Sequence, residues 1–140
     1  MLTLTEDQIR QIANELDSGF SCFIHKVTAE IIAIPHDTSH PDMDMSAWKD
    51  DIKKVESKRK QYLVIDPLES RDSFDIMKDF TNQVEDEKLR SRLISALNHR
   101  KPFSHFKFEI DNSGEYRQKW FDFKSNSLQQ LVRKLIMIGM

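Results

Sequence analysis

The chain has a single cysteine, Cys22, so it can form no internal disulfide and can build no zinc site from thiolates. Its three glycines, Gly19, Gly114 and Gly139, stand far apart, which excludes a glycine-rich loop cradling a phosphate or a dinucleotide. Long apolar runs are missing too. The most apolar stretch, Leu131 to Met140, is interrupted by Arg133 and Lys134 and falls short of the roughly twenty apolar residues needed to cross a bilayer. Charge of one sign is not in excess: 21 Lys and Arg face 23 Asp and Glu, a net charge of -2, so nothing draws the whole chain to nucleic acid or an anionic membrane. Met1 to Arg10 has no basic start followed by an apolar core, so no targeting signal is read there and the expected location is cytoplasmic.

What is present suits a folded globule. A chain of 140 residues, 39% hydrophobic and 31% charged, is expected to form a single domain over 1–140, with enough apolar content for one full core. Thr5 followed by Gln8 is a capping box, and Ile9, Ile12, Ala13 and Leu16 then recur at helical spacing until Gly19 ends the helix. Phe20 to Lys26 and Glu30 to Pro35 are rich in β-branched and aromatic residues, and Val27-Thr28-Ala29 links them as a hairpin. Ser46 is expected to cap a helix carrying Trp48, Ile52 and Val55, and Tyr62 to Ile65 forms a third strand closed by Pro67. From 68 onward the periodicity is helical. Ser70 and Asp86 are candidate caps, Pro102 opens a further helix, Asn112-Ser113-Gly114 stops it, and a last long helix runs from about Glu115. The expected class is α+β: a small three-stranded antiparallel sheet in 1–67, packed with helices, and an all-helical part in 68–140. Phe80, Leu93, Phe106 and Trp120 lie on the inward stripes of four successive helices, which predicts that they meet in one core.

The stretch from Ser70 to Trp120 resembles uncharacterised protein family 0158, a group of small bacterial proteins. The resemblance starts at Ile65 and Pro67 and runs through Ser70-Arg71-Asp72, Phe74, Met77 and Phe80. It continues with Leu89, Leu93, Ala96 and Leu97, then Lys101, Phe103, Phe106 and Lys107, and ends with Trp120, Phe123 and Lys124. The resemblance implies a fold and a class rather than an activity.

Each candidate for chemistry has a plainer reading beside it. His36, His40, Asp42 and Asp44 lie in one polar loop with ligand-competent side chains, but their spacing matches no defined metal site and a solvated loop explains them, so no metal or other cofactor is expected. Cys22 and His25 are a thiol and a base three residues apart on a strand, where they face opposite sides; pairing of Cys22 with His99 or His105 stays open. Lys53, Lys54, Lys58, Arg59 and Lys60, with Glu56 among them, give a local balance of +4 that could grip phosphates or simply solvate a helix face. Arg71, Lys101, Lys107, Trp120 and Lys124 fall within the family-like series and could converge on an acidic partner, although Trp120 also suits a core stripe and the lysine stems could cover apolar surface. The expected function is a non-catalytic cytosolic binding or regulatory module that engages another macromolecule, a protein partner first. Nucleic-acid binding through the 53–60 face is the alternative, and an enzyme comes third because no nucleophile, metal set or phosphate loop can be assembled.

Overall fold

The computed structural model describes residues 2–37 and 44–139. These divide into two compact units, one formed by 1–67 with 128–140 and the other by 68–127.

In the first unit, α1 (Glu6–Asp17) opens with the expected capping box: Thr5 Oγ1 accepts the Gln8 N–H at 3.1 Å while Gln8 Oε1 accepts the Thr5 N–H at 2.9 Å. Gly19, just past the helix at φ +89°, supplies the left-handed residue that turns the chain into β1 (Phe20–His25). The hairpin to β2 (Ile31–Pro35) is closed by a side chain as well as by backbone: His25 Nδ1 accepts the N–H groups of Val27 and Thr28, both at 3.1 Å. Asp44, rather than Ser46, performs the next cap. Its carboxylate accepts the Ser46 N–H at 2.9 Å and starts a 3-10 turn, Met45–Trp48, that leads into α2 (Lys49–Ser57). A cap must sit in extended backbone one step before the turn, and that position is Asp44, at φ -90° and ψ 109°.

β3 (Tyr62–Ile65) completes an antiparallel sheet ordered β2-β1-β3, with β1 in the centre. Cys22 aligns with Ala33 and Ile65, and Phe23 with Ile32 and Val64, so strand parity divides the apolar side chains between two faces. On one face Cys22, Ile24 and Ile65 pack with Ile9, Ile12 and Leu16 of α1 and with Val132. On the other, Ile32, Ile34 and Tyr62 pack with Val55 and Ile52 of α2 and with Phe23. The apolar character of both faces in the sequence follows from this double cover.

The second unit is helix and turn throughout: α3 (Ser70–Gln83), α4 (Glu87–Leu97), α5 (Pro102–Asp111) and the first half of α6 (Tyr116–Gly139). Ser70 is the first helical residue of α3 and not its cap, because Glu69 holds the extended conformation before it and makes no side-chain cap bond. Asp86 does cap α4, its carboxylate accepting the Leu89 N–H at 3.0 Å. Pro102 stands at the start of α5, and Gly114, at φ +64°, makes the turn into α6. Phe80, Leu93, Phe106 and Trp120 meet in one core with Met77, Val84, Leu89, Ala96 and Ile110, as their helical spacing predicts. The Trp120 ring takes Phe80 and Phe106 edge-on, at centroid distances of 5.3 and 4.9 Å.

Candidate functional site

The residues of the family-like series occupy different environments. Trp120 is 8% exposed and belongs to the core of the second unit. Lys124, one turn later on α6, places its ammonium 5.9 Å from the Trp120 ring centre and so covers that core with its stem. Arg71 is exposed near the start of α3, and Lys101 is the exposed residue before Pro102.

Lys107 joins an ion-pair network. Its ammonium donates to Asp111 Oδ2 at 2.8 Å, and Arg117 Nε donates to Asp111 Oδ1 at 3.3 Å, so one carboxylate bridges a cation from α5 and a cation from α6. Lys107 first, and Arg117 after it, hold the Asp111 carboxyl below its ordinary value. The Arg117 guanidinium in turn lies 4.8 Å from the ring centre of Phe121, one turn further along α6. Phe121 is 41% exposed, and Phe108, one turn before Asp111, is 63% exposed. Two exposed aromatic rings, one of them faced by Arg117, therefore stand one helical turn from members of a set of two cations and one anion. The family-like series did single out Lys107, but Phe108 and Phe121 lie outside that series, and only their place off the inward stripes marks them in the sequence.

The basic run 53–60 is exposed along its length except for Val55, which packs on the sheet. Lys53 and Lys54 lie on α2, whereas Lys58 ends it and Arg59 and Lys60 form a separate 3-10 turn. Lys54 donates to Glu30 Oε1 at 2.7 Å; this bond raises the lysine and lowers the carboxylate from their ordinary values. One of the five cations is thus already paired within the fold.

Cys22 is fully buried, and its thiol makes a weak contact of 3.9 Å with the Ile12 carbonyl. Burial, reinforced by Glu15, pushes the thiol up to about 12. His25 lies on the opposite face of β1, with its ring edge on Tyr62. Because Nδ1 accepts two backbone N–H groups, its proton sits on Nε2, which faces Gln61 Oε1 at 3.2 Å. The pair is thus structural. Native Cys22 is expected to resist thiol reagents at pH 8 and to react fully once denatured. A folded value raised above the unfolded 9.0 also means that the buried thiol adds stability below pH 9 that is lost as pH rises toward 12. Melts at pH 7 and pH 10 should show wild type losing about 1 kcal/mol more than Cys22→Ala between the two.

Of the loop considered for a metal, His40 and Asp42 lie outside the described residues. The other two are occupied. Asp44 accepts the Ser46 N–H, which lowers its carboxyl from the ordinary value, and His36 Nδ1 is 2.9 Å from Ser21 Oγ. Ser21, buried at the start of β1, donates to Asp66 Oδ1 at 2.7 Å, so its one proton is used there and it accepts from the His36 Nδ1–H. This Ser-His-Asp cluster ties together the chain just after β2, the start of β1 and the chain just after β3. It is not a nucleophile site, since activation requires the imidazole to take the serine proton, and here the carboxylate holds it. Among the described residues no three His, Cys, Asp or Glu side chains gather as metal ligands, and no helix is long and apolar enough to cross a membrane.

Sheet, helices and surface define a small α+β protein with an all-helical second unit that displays aromatic and ion-paired groups. The chain belongs to the uncharacterised protein family UPF0158, whose profile matches residues 1–136, well beyond the Ser70 to Trp120 series that first suggests it. It is similar to a UPF0158 protein of Pseudomonas aeruginosa, with 27% identity over 123 residues that cover 87% of this chain and 75% of the relative. No solved structure matches.

Proposed function

We propose that this protein is a cytoplasmic, non-catalytic binding module that engages a protein partner through the face shared by α5 and the start of α6. The observation that carries the reading is the exposure of Phe108 and Phe121, each one helical turn from a member of the Lys107–Asp111–Arg117 network. Exposed aromatic rings beside an arginine are the composition of interface hot spots, and cations already fixed by Asp111 lose little further freedom on docking. Two cations against one carboxylate leave a single positive excess, which suits an apolar partner surface bordered by a carboxylate.

The test compares wild type with the double variant Phe108→Ser and Phe121→Ser as baits for chemical cross-linking in the native host. A partner that cross-links within α5 or α6, and is lost from a double variant whose melt is unchanged, supports the reading. A partner retained by the double variant overturns it. Nucleic acid is the competing outcome, tested by fluorescence anisotropy with labelled DNA and RNA. No binding tighter than about 10 μM is expected near physiological salt. Submicromolar binding that weakens in Lys53→Gln and Lys54→Gln would favour the 53–60 face instead.

A further inference from the structure

Between α4 and α5 lies an open cleft of about 300 Å³, lined by Ser91, Arg92, Ser95, His99, His105 and Glu109. Ser91 and Ser95 stand one turn apart on α4, which aligns their hydroxyls on one ridge, and His99 follows just beyond the helix end. His99 is oriented by the backbone: its Nδ1 accepts the Lys101 N–H at 3.2 Å, so the neutral ring carries its proton on Nε2, as a donor. His105, in the first turn of α5, stacks on it with ring centres 3.5 Å apart and planes inclined by 37°. A first turn is also where the helix dipole favours negative charge. Arg92 and Glu109 both line the cleft, yet among the described residues neither makes an ion pair. Their charge is left for something else.

We propose that this cleft binds a sugar or nucleoside monophosphate, with the phosphate held by Arg92, the two imidazoles and the serine hydroxyls, and with Glu109 accepting a hydrogen bond from a ligand hydroxyl or amino group. The donor set selects phosphate over carboxylate. A guanidinium fork, an imidazole N–H and two hydroxyls approach from two helices, and a tetrahedral group with three free oxygens can meet all of them where a carboxylate has two. Among the described residues no third His, Cys, Asp or Glu side chain joins the two imidazoles as a metal ligand, so the donor set suits an anion better than a metal ion. Room for the remainder of the ligand lies next to it. A second cleft of about 320 Å³ shares Arg92 and Glu109 and adds the carboxylates of Asp86 and Glu115, one further cation, Lys88, and the polar side chains of Asn112, Ser113 and Tyr116. The imidazoles and serine hydroxyls thus stand at one end of the groove, and the carboxylates of Asp86 and Glu115 with Lys88 stand toward Tyr116.

Titration of the full chain with inorganic phosphate, ribose 5-phosphate and ribose, followed by NMR of the histidine ring protons, tests the assignment. Saturable shifts at His99 and His105 are expected for both phosphates and not for ribose. Arg92→Gln should weaken binding of both phosphates by about tenfold or more. Glu109→Gln should weaken ribose 5-phosphate while leaving inorganic phosphate equal or tighter. These side chains are at the surface, and thermal melts of each variant verify that the fold is kept. The absence of saturable shifts up to about 10 mM of either phosphate, or binding unchanged in Arg92→Gln, would overturn the proposal.

Discussion

Phe106→Ala is expected to destabilise the second unit by about 3–5 kcal/mol, a large part of the 5–15 kcal/mol that holds a typical domain together. Phe106 is 2% exposed, and its ring packs edge-to-face with Trp120 at a centroid distance of 4.9 Å, so truncation removes apolar burial and an aromatic contact at once. The neighbours cannot close the gap cheaply. Leu93 and Ile110 are also fully enclosed and come from α4 and α5, and filling the void would require those helices to shift together. The measurement is a denaturant melt followed by tryptophan fluorescence in a Trp48→Phe background, where Trp120, beside the mutated ring, is the remaining reporter. A loss below about 1 kcal/mol would mean that the core does not depend on this ring.

Val132→Asp should damage the first unit by a comparable amount, through a different mechanism. Val132 is completely buried in a cluster with Ile12, Leu16, Ile24 and Ile65, an environment made almost wholly of aliphatic side chains. An unpaired charge in such a place costs roughly 3–5 kcal/mol, or else the group takes up a proton and loses packing instead. Val132→Ala, which only trims two methyl groups, is the control and should cost no more than about 1–2 kcal/mol. Hydrogen exchange at the β1 amides of Phe23 and Ile24 reads the effect directly: strong loss of protection in Val132→Asp and a small one in Val132→Ala. Equal protection in the two variants would remove Val132 from the core of the sheet.

Local rules made most of the element boundaries legible. The Thr5–Gln8 box, the Asp86 cap, Pro102 and Gly114 act within a few residues, and each sits where its chemistry places it. The two displaced caps failed locally as well: Asp44 stood two residues before Ser46 and Glu69 one before Ser70, and a choice among neighbouring polar residues depends on backbone angles that composition does not encode. Groups assembled across the chain were not legible. Ser21, His36 and Asp66 are separated by 15 and 45 residues, and only strand register makes them neighbours. The stacking of His99 on His105 likewise depends on the turn between α4 and α5. Charge counting over 53–60 could not reveal that Lys54 is tied to Glu30, 24 residues away and just before β2.

The first unit takes its residues from both ends of the sequence, since Val132, Leu135 and Ile136 pack with side chains from the first 65 residues, and the Arg133 guanidinium bonds Glu6. During synthesis the hairpin of β1 and β2 emerges early, but one of its faces stays without its last cover until residues 68–127 have been made. At about 5–20 residues per second this is an interval of several seconds. The second unit is contiguous, and α3 with α4 and α4 with α5 pack as sequence neighbours, while its longer contact, Phe80 of α3 on Trp120 of α6, closes within the same segment, so the unit forms fast once it has emerged. Folding on the ribosome should therefore run against the order of translation: the later-made unit matures first, and the earlier-made strands wait with an apolar face open to chaperones until the end of α6 arrives.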